Sequence, residues 1–173
     1  MKLLERRRAL MSLLRKSKNL FDIHNVIQCF VTTDASNTNF PTKIQNGIIY
    51  SAGRQGISNG GMLFLDVTDI DYITLSFDCD WDTTVSNTQI SCIGATKYTE
   101  HSKGFIFGLN NYKYLVSTDG SLAIKKGYNI KTFDVIAYKY FGIGFVCNKY
   151  SGIQVTNLMA NEGKTALPYE PYY

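Results

Sequence analysis

Six aspartates crowd one part of the chain: Asp66, Asp69, Asp71, Asp78, Asp80 and Asp82. Carboxylates in that number could ligate Ca2+, which takes roughly six to eight oxygens. Across residues 72–82, YITLSFDCDWD, apolar and polar residues alternate. Asp78, Asp80 and Asp82 therefore share one strand face with Thr74 and Ser76, and Ile73, Leu75, Phe77, Cys79 and Trp81 share the other. A single strand spaces its side chains too widely for three of them to close on one ion. These residues thus predict a core face backed by a solvated face, with no metal and no cofactor; calcium would enter only if a loop completed the ligand set.

The tyrosines offer a second chemistry. Tyr112/Tyr114 and Tyr138/Tyr140 each stand two residues apart, so each pair puts two rings on one strand face, and Tyr98 joins them as an exposed candidate. Rings so placed stack on sugar rings or bury a protein interface, and a filled core would use them equally well. Trp81, the single tryptophan, has the parity of Phe77 and Cys79 and belongs with the core.

Covalent and acid–base catalysis find little to work with. His24 and His101 are the only histidines and have no ligand or nucleophile-elbow spacing around them. Gly163-Lys164-Thr165 looks like the end of a phosphate-binding loop, but Leu158 stands where that loop needs its first glycine. The glutamates, Glu5, Glu100, Glu162 and Glu170, do not pair as the acids of a glycosidase. Cys29, Cys79, Cys92 and Cys147 lie far apart in apolar runs, which predicts buried free thiols rather than zinc or disulfides. No enzymatic activity is expected.

The elements that would position these residues are strands. From residue 19 onward, β-rich runs at 26–31, 48–52, 61–67, 72–81, 88–95, 105–109, 112–117, 122–125, 133–140, 144–147 and 153–159 alternate with turn residues. That spacing predicts an all-β sandwich or barrel. Asn46-Gly47, Asn59-Gly60-Gly61, Asn110-Asn111 and Asp119-Gly120 supply the turns, with Asn110-Asn111 and Asp119-Gly120 close enough to their flanking runs to make hairpins.

A length of 173 residues suits one domain with a short extension. Charged residues at 18%, with 12 Tyr and 10 Phe, exclude a disordered tail or a coiled coil. The net charge of +4 is unevenly placed: residues 1–18 hold seven Lys/Arg against one Glu, leaving 11 basic and 13 acidic residues in 19–173. The body therefore lacks the electrostatic signature of a nucleic-acid-binding face. Leu3, Leu4, Leu10, Met11 and Leu14 line one side of a short amphipathic helix over 2–16, interrupted by Arg7. A helix this short needs something to pack on, which makes Arg6, Arg7, Arg8, Leu10, Leu14 and Arg15 the expected assembly interface of the 1–18 extension. The same arginines leave no signal-peptide core. No run elsewhere approaches the roughly 20 apolar residues that cross a bilayer, so synthesis in the cytoplasm without membrane insertion is expected.

Residues 153–173, IQVTNLMANEGKTALPYEPYY, resemble the closing segment of phage and prophage structural proteins of the tail, baseplate or fibre type that carry a carbohydrate-binding-module-like jelly roll. In that group the last strand is followed by an acidic residue, a glycine and a tail close to T-A-x-P-Y-E-P-Y. Glu162, Gly163, Thr165-Ala166 and Pro168 through Tyr172 stand at those positions. Lys18-Asn19-Leu20-Phe21-Asp22, after a basic helix, is similar to the way such domains begin. The resemblance covers both ends, while the middle shares only its strand-rich character. It implies a jelly-roll β-sandwich over 19–173, a place in the virion on tail, baseplate, fibre or head, and partners among other virion proteins. It also implies a homo-oligomer, a trimer included, that holds a host surface glycan through avidity over an aromatic face. The competing readings are a purely architectural subunit that binds no sugar and, with less support from the acids present, a glycan depolymerase. On physical grounds Pro168 and Pro171 make the tail extended across the sandwich surface, with Tyr169 and Tyr172 as its buried anchors.

Overall fold

The computed structural model describes residues 18–23, 27–30, 43–52, 62–81, 88–101, 104–108, 110–116, 122–146 and 150–171. The expected helix over 2–16 with its interface residues, the Asn59-Gly60-Gly61 and Asp119-Gly120 turns, Asp82, Cys147 and Tyr172 lie outside them. Within them the chain is all-β. Its strands are β1 (Gln28–Phe30), β2 (Lys43–Gln45), β3 (Ile48–Ala52), β4 (Met62–Asp66), β5 (Tyr72–Trp81), β6 (Gln89–Ala95) and β7 (Thr99–His101), then β8 (Gly104–Ile106), β9 (Tyr112–Tyr114), β10 (Leu122–Ala123), β11 (Gly127–Asp134), β12 (Tyr140–Val146) and β13 (Tyr150–Glu162).

An eight-stranded sheet runs β10-β6-β12-β4-β1-β8-β7, with β9 also pairing β6; a five-stranded sheet runs β11-β5-β13-β3-β2. Pairing is antiparallel except between β1 and β8. The longer strands alternate between sheets, β4 to β5 to β6 and β11 to β12 to β13, so each crossing lays one sheet's apolar face over the other's. Ile73, Leu75, Phe77 and Cys79 of β5 share one buried core with Leu63 and Leu65 of β4 and Phe141, Ile143 and Phe145 of β12. Phe77 meets Phe145 edge-to-face at 5.4 Å and Phe133 meets Phe141 at 5.3 Å, so the two sheets close as a sandwich.

The bounds of β3 and β5 are those expected from the β-rich runs at 48–52 and 72–81. Two short strands, β2 and β7, have too few residues to show periodicity. Asn46 and Gly47, at φ 53° and 74°, form the two-residue hairpin between β2 and β3. The strand expected at 133–140 is instead two elements. Asp134 accepts a hydrogen bond from the Ile136 N–H at 3.1 Å, and Tyr138 N–H donates to the Val135 carbonyl at 2.9 Å. This turn ends β11 and hands the chain to β12. Asn110-Asn111 is a turn but not a hairpin, since β8 pairs with β1 and β7 whereas β9 pairs with β6.

The second face of β5 is not uniformly solvated as the sequence suggests: Thr74 and Ser76 are buried, as are Met159 and Asn161 across on β13. The C-terminal tail is tied down at this face. Thr74 Oγ1 donates to the Gly163 carbonyl at 2.7 Å, Asn161 Nδ2 donates to the Thr165 carbonyl at 3.0 Å, and Leu167 N–H donates to Asn161 Oδ1 at 3.3 Å. Lys164 Nζ sits 3.9 Å from the centroid of the Tyr72 ring. Farther along, the Glu170 carbonyl accepts from Asn19 Nδ2 at 3.2 Å. The expected tyrosine anchoring is corrected at Tyr169, which is exposed. Asparagine amides satisfy the backbone of a proline-spaced segment that has few donors of its own, and they do the anchoring.

Asn19 also ties in the entering chain. Its Nδ2 donates to the Leu158 carbonyl at 2.9 Å, and its Oδ1 accepts from Phe21 and Ala160 N–H, both at 3.0 Å. Leu20 N–H donates to the Ala160 carbonyl at 2.7 Å, extending the sheet along β13 beyond its pairing with β3. Phe21 enters the main core.

Candidate functional site

The eight-stranded sheet carries a second apolar cluster on its outer face. Along β12 the inward residues are Phe141, Ile143 and Phe145, and the outward ones are Tyr140, Gly142 and Gly144. Without side chains at the two glycines, neighbouring groups settle onto the sheet. A Cβ on Gly142 would stand 3.0 Å from Ile93 Cγ1, 3.1 Å from Phe107 Cε2 and 3.2 Å from Cys29 Sγ. Cys29, Met62, Ile93, Ala95 and Phe107 are the buried floor, and Phe64, Tyr98, Phe105, Tyr112 and Tyr140 pack half-buried around it.

Phe64 is the hub of this face. Its ring lies 4.9 Å from Phe105, 5.3 Å from Tyr140, 5.7 Å from Tyr98 and 6.1 Å from Phe107. Tyr98 stacks on Phe105 at 4.1 Å and meets Tyr140 edge-to-face at 4.9 Å. Tyr112 and Tyr114 pair across from Ala95 and Ile93, and their rings meet edge-to-face at 5.6 Å, carrying the aromatic surface to the sheet edge. Tyr114 is 37% exposed, and partial burial with a hydrogen bond to Tyr112 pushes its phenol up to about 12. It is therefore a neutral hydroxyl at physiological pH.

Four of the five tyrosines that the sequence nominates, Tyr98, Tyr112, Tyr114 and Tyr140, thus fall on one face. Tyr138 does not join them. Because β12 begins at Tyr140, Tyr138 sits in the preceding turn with its ring over Gly94, where a Cβ would come within 2.5 Å of two ring carbons. Sequence reasoning missed Phe64, Phe105 and Phe107. The available signal was the bulky-inward, glycine-outward alternation of residues 141–145, which marks a surface built to be overlaid.

The aspartates serve local geometry. Asp78 Oδ2 accepts from Asn157 Nδ2 at 2.9 Å, from a bulge residue at φ 53° on β13. Asp80 pairs with Lys126 at 3.1 Å, and Lys126 lies 5.7 Å from the half-buried Trp81 ring. Hydrogen bonding and charge from Lys126, with the Trp81 N–H, hold the Asp80 carboxyl below its usual range. Asp66 accepts from Thr68 N–H at 2.9 Å, capping the turn after β4. Among the described residues, no three His, Cys, Asp or Glu side chains form a group that could hold a metal ion, and no helix is long and apolar enough to cross a membrane. Cys29, Cys79 and Cys92 are free and buried.

No protein-family model matches the chain, and no curated protein matches it. Among solved structures it is similar to the tripod (BppUct-A-L) from the baseplate of bacteriophage Tuc2009, with a TM-score of 0.36 and 18% identity over 90% of this chain. The match spans 59% of the neighbour's length.

Proposed function

We propose that the protein is a structural component of a phage virion, of tail, baseplate, fibre or head-decoration type, whose jelly-roll sandwich displays an aromatic face for holding a host glycan. The observation that carries this reading is the surface built by Phe64, Tyr98, Phe105, Tyr112 and Tyr140 and bordered by Tyr114. Ring faces at a sheet surface stack against the apolar faces of pyranoses, and phenols can hydrogen-bond to sugar hydroxyls. The T-A-x-P-Y-E-P-Y-like tail supports the virion assignment by its resemblance, and the clasp at Asn19 and Asn161 gives that tail a physical role in closing the domain. Each copy binds weakly, and an oligomer organised through residues 1–18 supplies the avidity.

A second reading is a purely architectural subunit. The mutual packing of these rings favours it, since an aromatic surface already ordered in the free subunit suits a protein interface. A glycan array probed with the multivalent full chain separates the two. Binding that falls at least tenfold in Tyr98→Ala and Tyr114→Ala supports adhesion, while no binding at high valency leaves architecture as the account. Native mass measurement with and without residues 1–18 tests the extension, and an oligomer unchanged by the deletion refutes its role in self-assembly.

A further inference from the structure

Strand β11 ends the five-stranded sheet, and among the described residues it is unlike the other strands that end a sheet. Those strands, β2, β7, β9 and β10, have two or three residues each, whereas β11 has eight. A very short edge gives a partner little to pair with, and a long one is a template. Val135 N–H, one residue beyond β11, donates to the Asp71 carbonyl at 2.9 Å in the register that joins β11 to β5. Backbone groups alternate in direction along an antiparallel strand, so the odd-numbered residues of β11 bond to β5. Tyr128, Ile130, Thr132 and Asp134 therefore turn their N–H and C=O to the open edge. A groove of about 560 Å³ runs along that edge, and residues of both parities, 128 to 131, line it, as they must where an opening borders a strand's backbone rather than one of its faces.

The side chains give this edge its preferences. Tyr128, Ile130, Thr132 and Asp134 share the outer face of the sheet, with Asp78, Ser76, Thr74 and Tyr72 directly across on β5. Tyr128 is 50% exposed and Ile130 49%, so the middle of the edge is apolar on that face. Its two ends carry opposite charge. Lys126, just before the strand, is held at Asp80 by a 3.1 Å ion pair, and Asp134, at the far end, is exposed with no ion-pair partner among the described residues. The buried Asn129 fixes the turn that sets Lys126 there: its Oδ1 accepts from Lys125 N–H at 3.0 Å, and its Nδ2 donates to the Lys125 and Gly127 carbonyls, both at 2.8 Å. On the opposite face of β11, Lys131 stands between Asn129 and Phe133.

We propose that β11 is a self-association edge, on which two copies of this chain pair β11 against β11, antiparallel about a twofold axis at Ile130, and join their five-stranded sheets. The register follows from the residues. Pairing through the open backbone groups sets even-numbered residues against even-numbered ones, and the two symmetric registers that overlap most of the strand are centred on Ile130 and on Lys131. Centred on Lys131, that lysine meets its own copy and the apolar Tyr128 meets a carboxylate, both unfavourable. Centred on Ile130, Ile130 meets its own copy, Tyr128 meets the partner subunit's Thr132, Lys126 meets the partner subunit's Asp134 and Lys131 meets the partner subunit's Asn129. The exposed apolar side chains are then flanked across the seam, both end charges are matched, and no like charges stand opposite. About six main-chain bonds join the copies through residues 128, 130 and 132. A strand of some other protein would give no reason for an edge whose two ends complement each other. The contact lies at the edge of the five-stranded sheet, so it leaves the aromatic face of the eight-stranded sheet uncovered and does not depend on what that face binds.

All measurements use the full chain. On mild oxidation, Ile130→Cys should form a disulfide between the substituted positions of two copies, shown by peptide mapping, because directly paired residues stand about 5.5 Å apart at Cα, within disulfide reach. Thr132→Cys places its two copies on opposite sides of the axis, beyond that reach, and should link roughly tenfold more slowly or less. Sedimentation over a concentration range should show an association step in the parent. Thr132→Pro removes an N–H that faces the open edge and none that bonds to β5, so it should abolish the step. Lys126→Glu and Asp134→Lys should each weaken it roughly tenfold or more by setting like charges opposite, and an equal mixture of the two should recover it, since each altered position then faces the opposite sign. These two variants change only exposed side chains, so thermal midpoints within a few degrees of the parent's separate lost pairing from lost fold. The proposal falls if the parent shows no association step that Thr132→Pro lacks, or if the mixture associates no better than either charge variant alone. Equal linking at positions 130 and 132 would also overturn it, because the edge would then have no register.

Discussion

Replacing Asn19 by Ala removes one side chain and four hydrogen bonds: two donated to the Leu158 and Glu170 carbonyls, and two accepted from Phe21 and Ala160 N–H. Water cannot readily replace the three deeper partners, because Asn19 is only 5% exposed and Leu158 and Ala160 are buried. At about 1 kcal/mol net for each bond, with an added penalty for partners left buried and unmet, the loss comes to about 3–5 kcal/mol. Measured against a typical total of roughly 5–15 kcal/mol, this one amide carries a large share of the stability. For a chain of this size the midpoint should fall by about 10 °C. Asn19→Asp keeps the acceptor but loses both donors and turns a carboxylate toward two carbonyls, so it should recover less than half of the loss. Urea denaturation of the parent and both variants gives the numbers, and protease access to residues 164–171 reports whether the tail lifts. A loss below about 1 kcal/mol for Asn19→Ala, with the tail as protected as before, would refute the clasp.

Gly94→Ala drives a methyl into the Tyr138 ring at 2.5 Å and should cost about 1–3 kcal/mol by overpacking, more than Gly142→Ala with its 3.0 Å contact. Tyr138→Ala combined with Gly94→Ala should recover most of that penalty; simple additivity in the double-mutant cycle would show that the contact is not the cause. Burial pushes the Cys29, Cys79 and Cys92 thiols up, Cys79 to about 12 with help from the Asp78 and Asp80 charges. At pH 8 these three should therefore resist a disulfide reagent until denaturant is added, as read by peptide mapping, and rapid native labelling would contradict their burial. Since the unfolded thiols release their protons first, stability that is intact below pH 9 should decline as pH rises from 9 toward 12.

Two of the strands are legible in the sequence to the residue. Tyr72–Trp81 has the bounds that alternation assigns, and Ile48–Ala52 those of a β-rich run set off by the Asn46-Gly47 turn. β11 is not, because GYNIKTFD is an edge strand. Its exposed Tyr128 and Ile130 lie on the face shared with Thr132, so polar and apolar residues mix along one side and the period blurs. The strand assignment consequently slipped onto the more apolar 133–140 segment and carried Tyr138 with it. The aromatic face is half visible: spacing nominates the tyrosines, but nothing in the sequence sets Phe64 and Phe107 apart from the residues of the main core, because only the sheet pairing separates the two clusters. Asn19 and Asn161 gave no signal of their own. A polar residue satisfied entirely by distant backbone looks, in a linear sequence, like any turn residue.

The clasp also determines where tension would be felt. The residues ahead of Lys18 enter the domain at Asn19, and Asn19 binds the longest strand, β13, which lies between β5 and β3. A pull from that direction acts first on the bonds of Asn19 and Leu20, which lie along β13 beyond its pairing with β3. Those bonds end on a strand that β5 holds from its other side over Met159–Glu162, with the outgoing tail tied to the same amide. Under such a pull the entry and the tail should be lost together rather than one after the other, because one amide holds both.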